Sequence, residues 1–142
     1  MTKPLYFVGS ALEDLRAFPR APRREAGYQL DRVQFGLEPS DWKAMTMGKV
    51  TKSSGNVFED LGFDAAESEN LKLRAQLMRE LETLIHDKRL TQSDAAELLG
   101  IHQSRVSDLV RGKIDRFSID MLVKLLAKTG RQVEIKVKRR AA

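Results

Sequence analysis

Residues 90–112 read LTQSDAAELLGIHQSRVSDLVRG, two short amphipathic segments separated by a glycine-containing turn. Thr91, followed three residues later by Asp94, is typical of a capped helix start. Gly100 can adopt the positive φ that a tight turn requires at no steric cost. Ala95 and Ala96 are small enough for a second helix to cross closely. The pattern predicts two helices joined by a short turn and crossing at a steep angle.

The second predicted helix has one apolar and one polar face. Val106 and Leu109 are three residues apart and predict the buried side. The opposite side carries short polar groups, an amide and a guanidinium, which suit the groove of a DNA duplex and make a poor core. We therefore expect base contacts from four residues of this helix: Gln103, Ser104, Arg105 and Ser107. We expect phosphate contacts from four residues that flank them: Thr91, Gln92, Arg111 and Lys113.

The rest of the chain predicts a mainly α fold. A strand is expected at Leu5–Val8, with a helix over 11–18 capped by Ser10 and a second helix over 23–35. Further helices are expected over 71–89 and 119–128, flanking the central pair. Residues 132–138 alternate strictly between apolar and polar side chains, which predicts a strand with one buried face. The domain helices therefore number four or five, with a C-terminal strand.

Three segments are expected along the chain. Residues 1–46 form a short strand–helix–helix piece, and residues 71–142 form the main domain. Residues 47–70 are polar and acidic, and this composition predicts a linker with one docking turn and few contacts across it. The C-terminal strand would then have an open edge, to be paired by its own symmetry mate or by the strand at residues 5–8.

Composition and charge favour a soluble protein with an anionic partner. The 142 residues include no cysteine and carry a formal net charge of +5. Residues 117–142 hold seven basic and two acidic side chains, so the basic excess lies at the C-terminal end. No apolar run approaches the roughly 20 residues that a membrane-spanning helix needs. We expect a cytoplasmic location and no membrane association.

Catalytic and metal sites are not expected. His86 and His102 are the only histidines, and without cysteine or a carboxylate pair at ligand spacing they do not form a metal site. Ser10, Ser104 and Ser107 lack a partnered histidine and aspartate, so a hydrolase is disfavoured. We expect no enzyme activity and no cofactor.

The segment 90–112 resembles the Xre/λ-repressor-Cro family of helix-turn-helix proteins, position by position and without a gap. Residues 56–63 and 112–119 extend the likeness to HigA-like antitoxins, over about residues 49–138. The resemblance implies a homodimer that reads a palindromic operator. His102 departs from the pattern, since the family usually has Ser or Thr at the start of the recognition helix.

Residues 7–10, 15–19 and 27–36 resemble the beginning of a RelE/HigB-like mRNA-cleaving toxin, over about residues 3–46. The family's catalytic residues lie on later strands that have no counterpart here, so the resemblance implies a truncated toxin-like piece without ribonuclease activity. Two functions stay open at this point. The chain is a double-stranded DNA-binding repressor that autoregulates a toxin–antitoxin operon, or an interaction module that neutralises a HigB-like toxin, with DNA binding secondary.

Overall fold

A computed structural model describes residues 3–36 and 50–139, and within them the chain is mainly helical. A 3₁₀ turn at Ile114–Arg116 precedes the last helix. The strands and helices are β1 (Tyr6–Val8), α1 (Ala11–Arg16), α2 (Arg20–Gln34), β2 (Val50–Lys52), α3 (Val57–Asp60), α4 (Ala65–Asp87), α5 (Gln92–Leu99), α6 (Gln103–Val110) and α7 (Ile119–Ala127). The predicted fold class, a helix-turn-helix domain preceded by a strand–helix–helix piece, is confirmed.

Helix α4 is the central element of the molecule. Its residues Leu71, Ala75, Met78 and Leu81 are fully buried. One part of its surface packs on α7, while other parts contact α2 and α3. Burial of these apolar side chains is the main favourable term for the domain, and α4 therefore joins the N-terminal helices to the helix-turn-helix pair.

The N-terminal strand has a partner within the chain. Strand β1 pairs antiparallel with β2, with Phe7 opposite Thr51, and the Ser53 N–H extends the pairing to the Leu5 carbonyl at 2.9 Å. Ser10 does not form the predicted cap of α1, because its hydroxyl donates to the Asp14 carboxylate instead. The open edge expected for a C-terminal strand is consequently not filled by β1.

The prediction of a C-terminal strand is wrong for the described residues. Residues 131–139 form no strand in the structure. The alternation that predicted it is intact, but a strand exists only when a neighbour supplies hydrogen bonds, and within the described residues none lies beside this segment. We call residues 131–139 the C-terminal tail.

Much of the predicted linker is also part of the fold. Val57, Phe58 and Leu61 are buried, and α4 begins at Ala65, six residues before its predicted start. Asp64 caps α4 by accepting a hydrogen bond from the Glu67 N–H at 2.8 Å. The acidic composition that predicted a linker is explained by capping and ion pairing at helix ends. Residues 37–49, which contain the predicted boundary at 46–47, lie outside the described residues.

Helix α2 docks on α4 through buried charges. The Arg79 Nε lies 2.7 Å from the Asp31 carboxylate, and Arg32 lies 2.7 Å from Glu82. The side chain of Asp31 is 3% exposed and that of Glu82 is 8% exposed. Two ion pairs withdrawn from water therefore join segments that are about 50 residues apart in sequence, and many contacts cross the region in which few were expected.

Candidate nucleic-acid interface

The first helix of the pair begins at a reciprocal cap. The Thr91 hydroxyl accepts from the Asp94 N–H at 3.1 Å, and the Asp94 carboxylate accepts from the Thr91 N–H at 3.4 Å. The predicted capping box is thus present. It satisfies two of the N–H groups that a helix start leaves unpaired, and it fixes the point at which α5 begins.

The turn between the helices has the predicted backbone. Gly100 adopts φ 66° and ends α5. Ala95 and Leu99 on α5 and Val106 and Leu109 on α6 are fully buried, so the two helices cross with their apolar faces inward. The back of α6 is therefore fixed to the domain, and only its opposite face is available to a ligand.

His102 caps the start of α6. Its Nδ1 accepts from the Ser104 N–H at 3.3 Å and also lies 2.9 Å from the Ser104 hydroxyl. An imidazole nitrogen thus takes the place of the Ser or Thr oxygen that the resemblance led us to expect. Because both interactions involve Ser104, the first turn of α6 is held together with His102 as one unit.

The outward face of α6 presents its first residues most openly. Gln103 and Ser104 are exposed, whereas Ser107 is half-buried. In a helix-turn-helix the first turn of the second helix contacts the base edges in the major groove. The Gln103 amide can both donate and accept, which is what bidentate pairing to an adenine edge requires.

Arg105 is held within the protein. Its guanidinium donates to the Arg116 carbonyl at 2.8 Å and lies 5.1 Å from the centre of the Phe117 ring. A further contact of 3.1 Å joins it to the Met121 sulfur. These contacts fasten the end of the 3₁₀ turn to α6. A base contact from Arg105 would require the guanidinium to leave all three partners. Arg105 is therefore less available for base contact than Gln103 and Ser104.

Three basic residues lie where α6 ends, and two of them are paired with carboxylates. Arg111 is exposed at the C-cap of α6, and Lys113 lies 3.2 Å from the Glu25 carboxylate. Asp108 of α6 lies 3.1 Å from Arg116, which compensates its charge. Arg116 is a basic residue at this end that the sequence-based selection missed. Its position after the recognition helix is the sequence signal that could have found it.

Helix α2 reaches this end of α6 directly. Gly112 adopts φ 75°, and a Cβ there would lie 2.8 Å from the Tyr28 ring and 2.7 Å from the Gln29 amide nitrogen. Glycine is therefore required both for the backbone angle and for the close approach of α2. Neither Glu25 nor Tyr28 has a sequence signal that links it to residues more than 80 positions away.

The predicted phosphate contacts of α5 lie at its start. Gln92 is exposed at the first helical position, and Thr91 is exposed although its hydroxyl takes part in the cap. Free N–H groups and the helix dipole favour an anion at a helix N-terminus. Because the first helix of a helix-turn-helix crosses the DNA backbone, these two exposed residues are candidates for phosphate contacts.

The arrangement defines a helix-turn-helix protein. A family model described as a helix-turn-helix domain matches residues 57–138, more than half of the chain, and the chain belongs to that family. No curated protein was found to match it. The family points to a DNA-binding regulator. The described helices include none that is both long and apolar enough to cross a membrane.

Proposed function

We propose that the protein is a sequence-specific repressor that binds a palindromic operator in double-stranded DNA as a homodimer. The observation that carries the proposal is the outward face of α6, where Gln103 and Ser104 are exposed while Val106 and Leu109 fix the opposite face in the core. A single recognition helix makes few base contacts, and two half-sites about one helical turn apart are the usual solution for this motif.

The contacts divide into two classes. Gln103, Ser104 and Ser107 are proposed to read base edges, with Arg105 joining them only if it leaves its partners within the protein. Phosphates are proposed to be held by the residues at the two ends of the reading face: Thr91, Gln92, Arg111 and Lys113. Base contacts determine sequence preference, and phosphate contacts supply affinity that depends on salt.

An antitoxin role is the finer part of the proposal. The HigA-like pattern over about residues 49–138 supports autoregulation of an operon that also encodes a HigB-like toxin. The competing function, in which the acidic stretch 59–69 neutralises the toxin, is weakened by how that stretch is used. Asp60 accepts from the Ser54 N–H at 3.1 Å, Asp64 caps α4, and Glu67 lies 2.6 Å from Arg24.

Operator selection from random duplex DNA with the purified protein tests the proposal. A palindromic consensus is expected, and its absence would overturn the function. Gln103→Ala should then cost about 1–3 kcal/mol at one base position of each half-site and relax the preference there. Lys52→Ala, an exposed lysine on β2, should leave both affinity and preference unchanged. Equal loss on operator and scrambled DNA for Gln103→Ala would contradict the assignment of the reading face.

A further inference from the structure

Within residues 3–36 and 50–139, no strand pairs with the C-terminal tail. The last backbone hydrogen bond along the described chain runs from the Arg131 N–H to the Leu126 carbonyl at 3.2 Å. Beyond it, Ile135 is 60% exposed and Val137 is 91% exposed. Exposed β-branched side chains in a segment with free N–H and carbonyl groups favour addition of another strand.

Among the described residues, the contacts that anchor the tail lie at its beginning. Arg131 lies 3.1 Å from Glu80 on α4, and Val133 packs partly buried against the core. An open groove of about 900 Å³ separates the rest of the tail from α4. Leu73, Leu77 and Ile135 contribute to its walls, and no residue of α5 or α6 does. An occupant of this groove would therefore leave the reading face of α6 free.

The sequence of the tail is complementary to itself in one antiparallel register. With Ile135 opposite Ile135 of a second copy, Val133 lies opposite Val137, and Glu134 lies opposite Lys136. Over residues 133–137 the apolar side chains then share one face, and both Glu134–Lys136 pairs have opposite charges. At the ends of the pairing, Gln132 lies opposite Lys138 and Arg131 opposite Arg139, so the match is confined to residues 133–137.

The neighbouring registers lose this match. A shift of the centre to Glu134 places two glutamates opposite each other, and a shift to Lys136 does the same with two lysines. Registers centred between residues place apolar side chains opposite polar ones, on the wrong face of the sheet. Over residues 133–137, only the pairing centred on Ile135 both aligns all the apolar side chains and places opposite charges across from each other.

We infer that the C-terminal tails of two copies pair as antiparallel strands about a two-fold axis at Ile135, and that this pairing forms the dimer. The two strands then cover the apolar walls of the grooves with Ile135, Val133 and Val137 of both copies. The inference rests on the proposed function, because it supplies the two-fold symmetry that a palindromic operator requires.

Single cysteines test the register, since the chain contains no cysteine of its own. In Ile135→Cys the two sulfurs face each other across the axis, where paired Cα atoms lie about 4.5–5.5 Å apart, within the range for a disulfide. In Val137→Cys the two cysteines are offset by four residues, about 14 Å along the strands. Under mild oxidation at low micromolar concentration, Ile135→Cys should become a covalent dimer at least tenfold faster than Val137→Cys.

The more exposed position is thus the control. If collisions alone caused the cross-link, Val137→Cys would react at least as fast as Ile135→Cys, and that result would overturn the inferred register.

Charge exchange tests the pairing itself. Glu134→Lys and Lys136→Glu each place like charges opposite one another twice, and each should weaken dimerisation about tenfold by sedimentation. Mixing the two variants pairs lysines with glutamates throughout and should restore a heterodimer of wild-type affinity. Unchanged dimerisation in either variant, or a wild-type monomer at high micromolar concentration, would overturn the inference.

Failure of this inference and failure of the proposed function can be told apart. Sedimentation is measured without DNA, and operator binding is measured separately. If the protein selects an operator but its dimerisation is unchanged by the charge exchange, only the tail pairing is contradicted. If the protein dimerises through its tails but selects no DNA sequence, only the proposed function is contradicted.

Discussion

Helix α4 holds α7 and α2 by different means. Its side toward α7 is apolar, with Leu81 on α4 and Leu122 on α7 fully buried. Its side toward α2 is joined by the ion pairs Arg79–Asp31 and Arg32–Glu82. Apolar contacts tolerate changes of pH and of charge, whereas a buried ion pair becomes costly when one partner is lost. The contact between α2 and α4 is therefore one that a single charge change can loosen.

Removal of one charge from the α2–α4 interface should have the largest effect. Arg79→Ala leaves the buried Asp31 without its cation and removes the guanidinium that lies 3.4 Å from the centre of the Phe35 ring. We expect the free energy of unfolding to fall by about 3–5 kcal/mol at neutral pH. Urea denaturation followed by circular dichroism measures this.

The matched control for Arg79→Ala is Lys124→Ala on α7. The Lys124–Asp120 pair has side chains 73% and 80% exposed, and its loss should cost about 0.3–0.5 kcal/mol. Since burial already raises the pKa of Asp31, the destabilisation by Arg79→Ala should shrink at low pH, where the carboxyl is neutral. Equal costs for the two variants would remove the contrast between buried and exposed pairs.

The second ion pair should make stability depend on pH. Burial raises the pKa of Glu82 from 4.5 to about 7, although Arg32 opposes the shift. The folded state then binds this proton more tightly than the unfolded state. Its contribution is fully present below about pH 4.5 and is lost as the pH rises to about 7. The loss is at most about 3 kcal/mol, at about 1.4 kcal/mol per pH unit.

Glu82→Gln should flatten this part of the pH profile, because the amide does not titrate. Urea midpoints between pH 5 and pH 8 measure it. Glu80→Gln, on the same helix with a side chain 56% exposed, should keep the wild-type profile. A Glu82→Gln profile that still falls over this pH range would mean that another group titrates with folding.

Alanine substitution at two glycines distinguishes the free-energy cost of backbone strain from the cost of displacing α2. Gly112 and Gly130 have similar positive φ angles of 75° and 82°, but a Cβ meets Tyr28 at 2.8 Å in the first case and nothing within 4 Å in the second. Gly130→Ala should cost about 1–2 kcal/mol for the angle alone. Gly112→Ala should cost about 1–3 kcal/mol more, because α2 must move. Equal costs in urea denaturation would show that α2 yields freely.

The same contrast explains what the sequence could predict. The turn at Gly100, the buried Val106 and Leu109 and the cap at Thr91 depend on residues within about ten positions, where periodicity and capping rules apply. The Asp31–Arg79 pair joins residues 48 positions apart, and nothing local marks either charge as buried. The predicted linker shows the same limit, because its apolar residues Val57, Phe58 and Leu61 are buried although the acidic residues between and after them suggested a solvated segment.

The C-terminal tail shows a different limit. Its alternation has the period of a strand, but the pattern contains no information on whether a neighbour is present in the same chain. Arg105 illustrates the same limit for the interface. Its place on α6 is predicted, whereas the bond to the Arg116 carbonyl depends on how the next turn folds back.

The smallest expected effect concerns Glu25, a carboxylate on α2 that pairs with Lys113 at the proposed phosphate-binding end of α6. Glu25 lies 3.2 Å from Lys113, and both side chains are about one-third exposed. A duplex backbone beside Lys113 would compete with Glu25 for the ammonium and be repelled by the carboxylate. Glu25→Gln should therefore strengthen binding to operator and scrambled DNA alike by about two- to fivefold at low salt, and less at high salt, where such charges are screened. Lys113→Ala should weaken binding to all DNA and lower the salt slope by about one per half-site.

The double variant tests whether the carboxylate acts through this lysine. If it does, the gain from Glu25→Gln should largely disappear in the Lys113→Ala background. Glu13→Gln on α1 is the control and should have no effect in either background. Fluorescence anisotropy across a salt series measures all of these variants. A change of base preference in Glu25→Gln would instead place α2 in contact with the reading face, and the two halves of the molecule would then share the task of recognition.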